Sequence, residues 1–132
     1  GLGYIKSFTG WRKTWDIIVP GNFDGTGNTD LLFYDSSNGQ AYFYKVNSDA
    51  GLGYIKSFTN WRKTWKIMIP GDFDNDNLTD VLLYDKNNGE AHFYNSTGIG
   101  KTYYDWRKSW NNIISGNFDN INNDDLLLYD NN

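Results

Sequence analysis

The residues of this 132-residue chain that are best suited to binding chemistry recur in a short motif, Trp-Arg-Lys-Thr/Ser-Trp, at 11–15, 61–65 and 106–110. An indole face can stack against the C–H groups of a sugar ring, and a neighbouring guanidinium can donate hydrogen bonds to the sugar oxygens. The motif therefore predicts sugar contacts from the first Trp and the Arg of each copy. These candidate sugar-binding residues are Trp11, Arg12, Trp61, Arg62, Trp106 and Arg107.

Other aromatic residues of the repeats have both a structural and a functional interpretation. The second Trp of each motif precedes an apolar, Ile-rich run and is predicted to lie in the core; these residues are Trp15, Trp65 and Trp110. Core packing is the alternative for the first Trp as well, because large aromatic side chains dominate the cores of small domains. Three further apolar runs each end in a Tyr whose hydroxyl could reach a pocket edge; these residues are Tyr34, Tyr84 and Tyr129.

An acidic loop in the second repeat, Asp-Phe-Asp-Asn-Asp-Asn-Leu-Thr-Asp at 72–80, has the composition of a calcium site. Carboxylates at alternate positions and a main-chain carbonyl can surround a hard cation with oxygen ligands. The candidate metal ligands are Asp72, Asp74, Asp76, Leu78 through its carbonyl, and Asp80. The equivalent loops at 22–30 and 117–125 carry fewer carboxylates, and in all three loops Asp and Asn can instead cap the turn. We therefore expect no required cofactor, with the alternative that the second loop binds Ca²⁺.

Composition argues against several functional classes. Without Cys and with a single His, His92, the chain offers no thiol nucleophile, thiolate metal site or multi-histidine site. Nearly every polar residue recurs in the repeats, so no unique acid–base pair indicates an enzyme. A net charge of −4 without a basic stripe argues against nucleic acid as a partner. The apolar stretches are too short to predict a membrane span.

Internal repetition predicts the architecture that must position these residues. The chain is one segment, 1–132, with repeats at approximately 1–50, 51–97 and 98–132, the third of them incomplete. In the second copy, four short runs at 54–58, 67–73, 81–84 and 91–94 are rich in β-branched and aromatic residues, and turns rich in Asp, Asn and Gly separate them. Four antiparallel strands per repeat predict an all-β fold made of β-propeller blades.

By this count, two full blades and part of a third leave the propeller incomplete. An incomplete ring exposes strand edges and apolar faces, which favours association. We expect closure by homo-oligomerisation, with the N-terminal strand of one copy completing the last blade of another, since homo-oligomers usually adopt closed symmetry. Excision from a longer propeller protein is the alternative.

One extended pattern, W-x-x-I-x-P-G-x-F-x-G-x-G-x-T-D-L-L-F-Y-D followed by G-x-x-x-F-Y, covers the repeat. In the first copy it is carried by Trp15, Ile18, Pro20, Gly21, Phe23, Gly25, Gly27, residues 29–35, Gly39, Phe43 and Tyr44. The pattern resembles the blades of the bacterial propeller lectins of the Photorhabdus lectin (PLL) type, which are related to the FG-GAP/VCBS repeats of integrin-like propellers. The resemblance implies sugar pockets between adjacent blades that bind fucose and related saccharides without a required metal. It is also compatible with secretion by a bacterium.

Taken together, the motifs favour a carbohydrate-binding lectin with several equivalent sugar pockets. Saccharides or glycoconjugates are then the expected partners, and repetition of weak sites would raise avidity through effective concentration. The alternative is a non-catalytic, calcium-stabilised scaffold or protein-interaction module of the FG-GAP/VCBS type.

Overall fold

The computed structural model describes Gly3 and residues 6–132. It contains ten antiparallel β-strands in sheets of four, four and two strands, and residues 6–132 form no helix. The all-β prediction is confirmed. In the described part of the chain, no helix is long and apolar enough to cross a membrane.

The strands follow one another in each sheet in the order of the sequence. The first sheet contains β1 (Ile17–Gly21), β2 (Asp30–Asp35), β3 (Gln40–Val46) and β4 (Leu52–Phe58). The second sheet contains β5 (Ile67–Gly71), β6 (Asp80–Asp85), β7 (Glu90–Asn95) and β8 (Gly98–Tyr103). The third sheet contains β9 (Asn112–Gly116) and β10 (Asp125–Tyr129).

The apolar runs form the second strand of each sheet. Every residue of β6 is buried, and β2 is buried at all positions but Leu31. Such strands pack against neighbours on both faces, which explains their continuous apolar sequence. The connecting turns use residues that tolerate positive φ, such as Asn75 and Asn77 between β5 and β6.

The division of strands among the sheets differs from the prediction of one sheet per repeat. The aromatic run 54–58 belongs to β4, which pairs with β3 in the first sheet rather than with the second. The reason is local, because a tight turn in which Asn47 N donates to Gly51 O at 2.8 Å joins β3 and β4. Each described four-stranded sheet therefore combines strands from two consecutive repeats. In the corresponding run of the first repeat, at 4–8, Tyr4 and Ile5 lie outside the described residues, as do Gly1 and Leu2 before it.

The sheets stand side by side, with their first strands β1, β5 and β9 next to one another. Two apolar clusters lie between them. The first cluster, between the first and second sheets, includes Leu32, Tyr34, Val81 and Leu83. The second cluster, between the second and third sheets, includes Leu82, Tyr84, Ala91 and Ile113. Each inter-sheet boundary therefore has its own core.

Candidate functional site

The Trp-Arg-Lys-Thr/Ser-Trp segments link each sheet to the next. Trp61 N donates to Gly39 O at 3.0 Å, and Trp106 N donates to Gly89 O at 2.9 Å. Both glycines have positive φ, and a Cβ at either position would collide with the backbone carbonyl of the facing Trp. The glycine turn of one sheet is therefore shaped to accept the motif that leads into the next sheet.

The first Trp of each motif packs among aromatic side chains and is half-buried. Trp61 lies 5.0 Å from Tyr94 and stacks on Phe58 at 5.8 Å between ring centroids, which places it between the first and second sheets. Trp106 takes the equivalent place beside Tyr84 and Tyr103. These contacts match the packing interpretation and leave part of each indole exposed.

Trp11 has different surroundings, because the described residues provide no preceding sheet. It contacts Phe8 at 5.4 Å and Phe33 at 5.0 Å, both within the first sheet or the segment that leads into it. A cavity of about 430 Å³ opens beside it. The lining includes Lys6, Phe8, Trp11, Leu31, Phe33 and Leu52.

Each Arg of the motif pairs with the second Trp rather than with the first. The Arg62 guanidinium lies 5.0 Å from the Trp65 ring, the Arg12 guanidinium 4.6 Å from Trp15 and the Arg107 guanidinium 5.3 Å from Trp110. The Trp–Arg pairs expected from the sequence are adjacent along the chain, whereas the observed pairs are formed across a turn. Trp65 is buried, and Trp15 and Trp110 are half-buried.

Carboxylates occupy much of the hydrogen-bonding capacity of these Arg side chains. Arg62 binds Glu90 through both terminal nitrogens and lies 3.7 Å from Asp85. Hydrogen bonds from Arg62 lower the pKa of Glu90 to about 2 in spite of burial. Arg12 contacts Asp35 and Gln40, and Arg107 contacts Asp130. A sugar that used these guanidinium groups would share them with the carboxylates.

The Tyr residues that end the apolar runs are placed differently from the prediction. Tyr34 and Tyr84 are fully buried, and their hydroxyls donate to the backbone carbonyls of Arg62 and Arg107. Burial raises the pKa of Tyr34 to about 12. Because both phenols are enclosed between sheets, they are inaccessible to a ligand in this structure, and the pocket role expected for them is corrected. Tyr129 is exposed.

A large cavity of about 630 Å³ lies between the second and third sheets. Its apolar side is formed by Phe73, Phe93 and Tyr103 from the second sheet and Leu126 from the third. The polar groups at its wall are Asp74, Asp80, Asn95, Lys101 and Asp124. None of the nine residues predicted to bind sugar lines this cavity. Alignment of the repeats is the one sequence feature that points to two of the cavity residues, because it aligns Lys101 with Lys56 and Tyr103 with Phe58.

The equivalent cleft between the first and second sheets is almost filled, with about 10 Å³ of free volume. Tyr94 fills it, with ring centroids 5.3 Å from Phe58 and 6.4 Å from Phe43. Lys56 lies 4.9 Å above the Phe43 ring, and burial lowers its pKa. The clefts between sheets are therefore not equivalent in this chain.

The acidic loop brings part of the predicted metal set together. Asp72, Asp74 and Asp80 each offer one oxygen, and these oxygens lie within 4.8 Å of one another. Asp76 is outside this group, because its carboxylate accepts hydrogen bonds from Leu78 N at 2.8 Å and from Ser96. The observed role of Leu78 in the loop is thus that of an amide donor.

Asp80 is the most unusual carboxylate of the loop. It is 1% exposed; Oδ2 accepts a hydrogen bond from Phe73 N at 2.9 Å, and Oδ1 has no hydrogen-bond partner. Burial, together with the carboxylates of Asp74, Asp76 and Asp72, raises the pKa of Asp80 to about 7. The loop therefore concentrates negative charge around a buried acidic group.

The corresponding loop of the first repeat shows which of these features belong to turn formation. Asp30 is equally buried, accepts hydrogen bonds from Phe23 N and Asp24 N, and also has an unpaired Oδ1. Among residues 6–132, however, the second loop alone brings three carboxylates together. Capping is common to the loops, and carboxylate clustering is specific to the second.

Comparisons with protein-family models, with curated proteins and with solved structures gave no match for this chain. Function must therefore be inferred from the cavities and side-chain clusters. The most developed of these is the aromatic cavity between the second and third sheets. It combines flat apolar surfaces with both hydrogen-bond donors and acceptors, which is a composition suited to a polyhydroxylated ligand.

Proposed function

We propose that this chain is a non-catalytic carbohydrate-binding module whose sheets are β-propeller blades, with a saccharide bound in the open cleft between the second and third of them. The observation that carries the proposal is the 630 Å³ cavity between the second and third sheets. Its volume is in the range of small-molecule sites, which have mostly apolar walls and a few polar groups that fix ligand orientation.

The chemistry of the wall supports a sugar rather than a purely apolar ligand. Tyr103 is exposed and Phe93 is half-buried, so their rings offer faces against which sugar C–H groups can pack. Lys101 donates hydrogen bonds, whereas Asp74 and Asp124 accept them from hydroxyl groups. A pyranose such as fucose, with an apolar face and several hydroxyls, matches this combination.

The Trp and Arg residues of the repeated motif take a supporting role in this proposal. Trp106 packs against Tyr103 at 5.8 Å and fixes the position of the ring that would contact sugar. The cavity beside Trp11 is a second candidate subsite, because it also joins an indole to a Lys. Two such cavities on one chain would give the multivalency expected of a lectin.

The test is isothermal titration calorimetry against a panel of monosaccharides that includes fucose. Tyr103→Ala should weaken binding about tenfold, because a stacking surface at the site is lost. Tyr54→Ala is the matched control, since Tyr54 is an exposed Tyr of the equivalent outer strand β4 and lies outside the cavity. Equal affinities in the two variants would contradict the site, and a panel without any binding would contradict the function.

A calcium-stabilised scaffold is the second candidate, and the clustering of three carboxylates, which among residues 6–132 is found in the second loop alone, favours it. The carboxylates of Asp72, Asp74 and Asp80 fit a hard divalent cation, which would remove their mutual repulsion. Ca²⁺ should then raise the melting temperature, and Asp80→Asn should abolish the rise. Asp30→Asn is the matched control, because it alters an equally buried Asp in a loop without the cluster.

A further inference from the structure

We propose that the outer faces of the first and third sheets bind each other in separate copies of this chain, in a head-to-tail arrangement. This inference goes beyond sugar binding and does not depend on it. It rests on an interface that the molecule already forms twice, between the first and second sheets and between the second and third.

One half of that interface is the face that each sheet turns toward the following sheet. In the first and second sheets this face includes Leu32 and Leu82, both fully buried by the next sheet. The equivalent Leu127 on β10 is 52% exposed. The other residues of this face that are exposed in the third sheet are Ile114, Phe118 and Tyr129. The third sheet therefore presents the same apolar half-interface without a partner among the described residues.

The other half is the face that each sheet turns toward the preceding sheet. Met68 on β5 and Ile113 on β9 are 7% and 8% exposed, and each packs into the core cluster shared with the sheet before it. Their equivalent in the first sheet, Ile18 on β1, is 55% exposed. A single molecule thus carries both halves of the same interface at its two ends.

Polar groups at the two internal boundaries also recur in register. Asn22 O accepts from Thr79 N and Asn22 N donates to Thr79 Oγ1, both at 2.8 Å. At the next boundary, Asp72 O accepts from Asp124 N, and Asp72 N donates to the Asp124 carboxylate. In the intermolecular contact, Asn117 would meet Thr29 of the second copy through the same pair of bonds.

The buried Tyr residues supply a second polar contact. Tyr84 OH donates to Arg107 O at 2.8 Å, and Tyr34 OH donates to Arg62 O. Tyr129 occupies the equivalent position on the third sheet and is 53% exposed. Its hydroxyl is therefore expected to donate to Arg12 O of the second copy.

Glycine positions are consistent with this docking. A Cβ on Gly21 would lie 2.6 Å from Thr79 Cγ2, so the internal boundary requires the small residue. At Gly116, the three atoms nearest to such a Cβ all belong to the Phe118 ring of the same sheet, the closest at 3.3 Å. The glycine leaves room at the place where the methyl group of Thr29 from a second copy would sit.

A second copy fits this surface because it offers the complementary face, around the exposed Ile18, that the third sheet lacks. The contact is heterologous, since the two surfaces differ, so repetition produces a closed ring or an open chain of molecules. The competing occupant is another repeat of the same polypeptide outside residues 1–132.

The test uses light scattering and native mass spectrometry on the 132-residue chain and on two blocked variants. Wild type should form oligomers, whereas Leu127→Asp and Ile18→Asp should each raise the dissociation constant at least about a hundredfold, because a buried carboxylate would lack a partner. Ile99→Asp, at an exposed apolar position on β8 away from both faces, should still assemble.

Mixing the two blocked variants is the decisive step. Each retains one intact half-interface, so a 1:1 mixture should form dimers that cannot grow, and dimerisation would also show that both variants are folded. Wild type that stays monomeric would overturn the proposal and indicate that another repeat covers the face. Blocked variants that melt like wild type but do not dimerise on mixing would overturn it as well.

Discussion

The first and second sheets meet over Phe23 and Phe43, and the second and third sheets meet over the corresponding Phe73 and Phe93. The first of these clefts has about 10 Å³ of free volume and the second about 630 Å³. The aromatic floors are nearly the same, so the difference lies in what the following sheet inserts. In the closed cleft, the third strand of the second sheet inserts Tyr94.

The comparison indicates that Tyr94, on the third strand of the second sheet, is the side chain that fills the first cleft. The third sheet has β9 and β10 in the described chain, and neither carries a residue equivalent to Tyr94. A lysine lies at each cleft, Lys56 beneath Tyr94 and Lys101 at the open wall. A cleft that contains such a Tyr is therefore aromatic core, whereas a cleft without one is a ligand-sized cavity.

The largest expected effect comes from emptying the closed cleft with Tyr94→Ala. Tyr94 is buried among Phe43, Phe58 and Trp61, so truncation should leave a cavity and lower the free energy of unfolding by about 4 kcal/mol. Urea denaturation measures the change. Tyr104→Ala, at an exposed Tyr, is the control and should cost less than about 0.5 kcal/mol. Similar losses in both variants would contradict the role of Tyr94.

The pH dependence of stability separates the acidic loop beside the open cleft from its counterpart in the first repeat. The folded-state pKa of Asp80 is raised to about 7, so the folded protein holds the proton more tightly than the unfolded chain. Its contribution to stability is complete below the ordinary Asp pKa and is lost as the pH rises toward 7.

Urea denaturation between pH 4 and pH 7 measures this contribution in a metal-free buffer. Asp80→Asn should flatten the profile in that window. Asp30→Asn should change it less, because Asp30, whose pKa burial also raises, lacks the cluster of carboxylates. A profile that Asp80→Asn leaves unchanged would contradict the assignment of the raised pKa to Asp80.

The carboxylates paired with the Arg residues of the motif should give the opposite pH dependence, in which stability is lost as the pH falls. Burial alone would raise the pKa of Asp35, but hydrogen bonds from Ser37, Thr14 and Arg12 outweigh it and lower the pKa to about 2. Glu90 has a similarly low pKa because of Arg62. Stability from these groups is present above about pH 4 and is lost as the pH falls toward 2. The Arg62→Ala variant should lose less stability between pH 4 and pH 2 than wild type.

The two lysines test whether the clefts differ in binding as they do in volume. Lys101→Ala should weaken sugar affinity about fivefold, since one hydrogen bond to the ligand is lost. Lys56→Ala should leave sugar affinity unchanged, because Lys56 lies in the filled cleft. Calorimetry with the sugar selected from the panel measures both. An equal loss in the two variants would remove the distinction between the clefts.

The smallest effects are expected from removing single hydroxyl groups at the ends of the apolar strands. Tyr84→Phe deletes the hydrogen bond to Arg107 O and should lower the free energy of unfolding by about 1 kcal/mol. Tyr129→Phe is the matched control, because the exposed Tyr129 has no equivalent bond within the described chain. Thermal melts of dilute protein would contradict this interpretation if both variants lost the same stability.

Much of the fold was predictable from local patterns. The apolar run at 81–84 predicted a buried strand, and the residues at 74–80 predicted the turn that precedes it, because both depend on nearby sequence. The assignment of 54–58 to the second sheet was wrong, since strand pairing depends on which turn is tight enough to form a hairpin. Repetition in sequence does not say where one sheet ends.

The candidate site was less predictable because it depends on contacts between sheets. The motif indicated that Trp and Arg interact, but it could not show that Arg62 would lie on Trp65 and bind Glu90. The buried Tyr34 hydroxyl likewise donates to the carbonyl of Arg62, which is distant in sequence. The open cavity is likewise formed by residues of two sheets, Phe93 and Leu126 among them, and no local pattern brings these residues together.

The position of strand β4 couples local unfolding of the first sheet to that of the second. It belongs to the first sheet, yet the chain passes directly from it through the segment 59–66 into β5 of the second sheet. Detaching β4 would also pull on Trp61, which is wedged between both sheets. Neighbouring sheets are therefore coupled, and we expect that unfolding of one sheet destabilises the adjoining edge of the next.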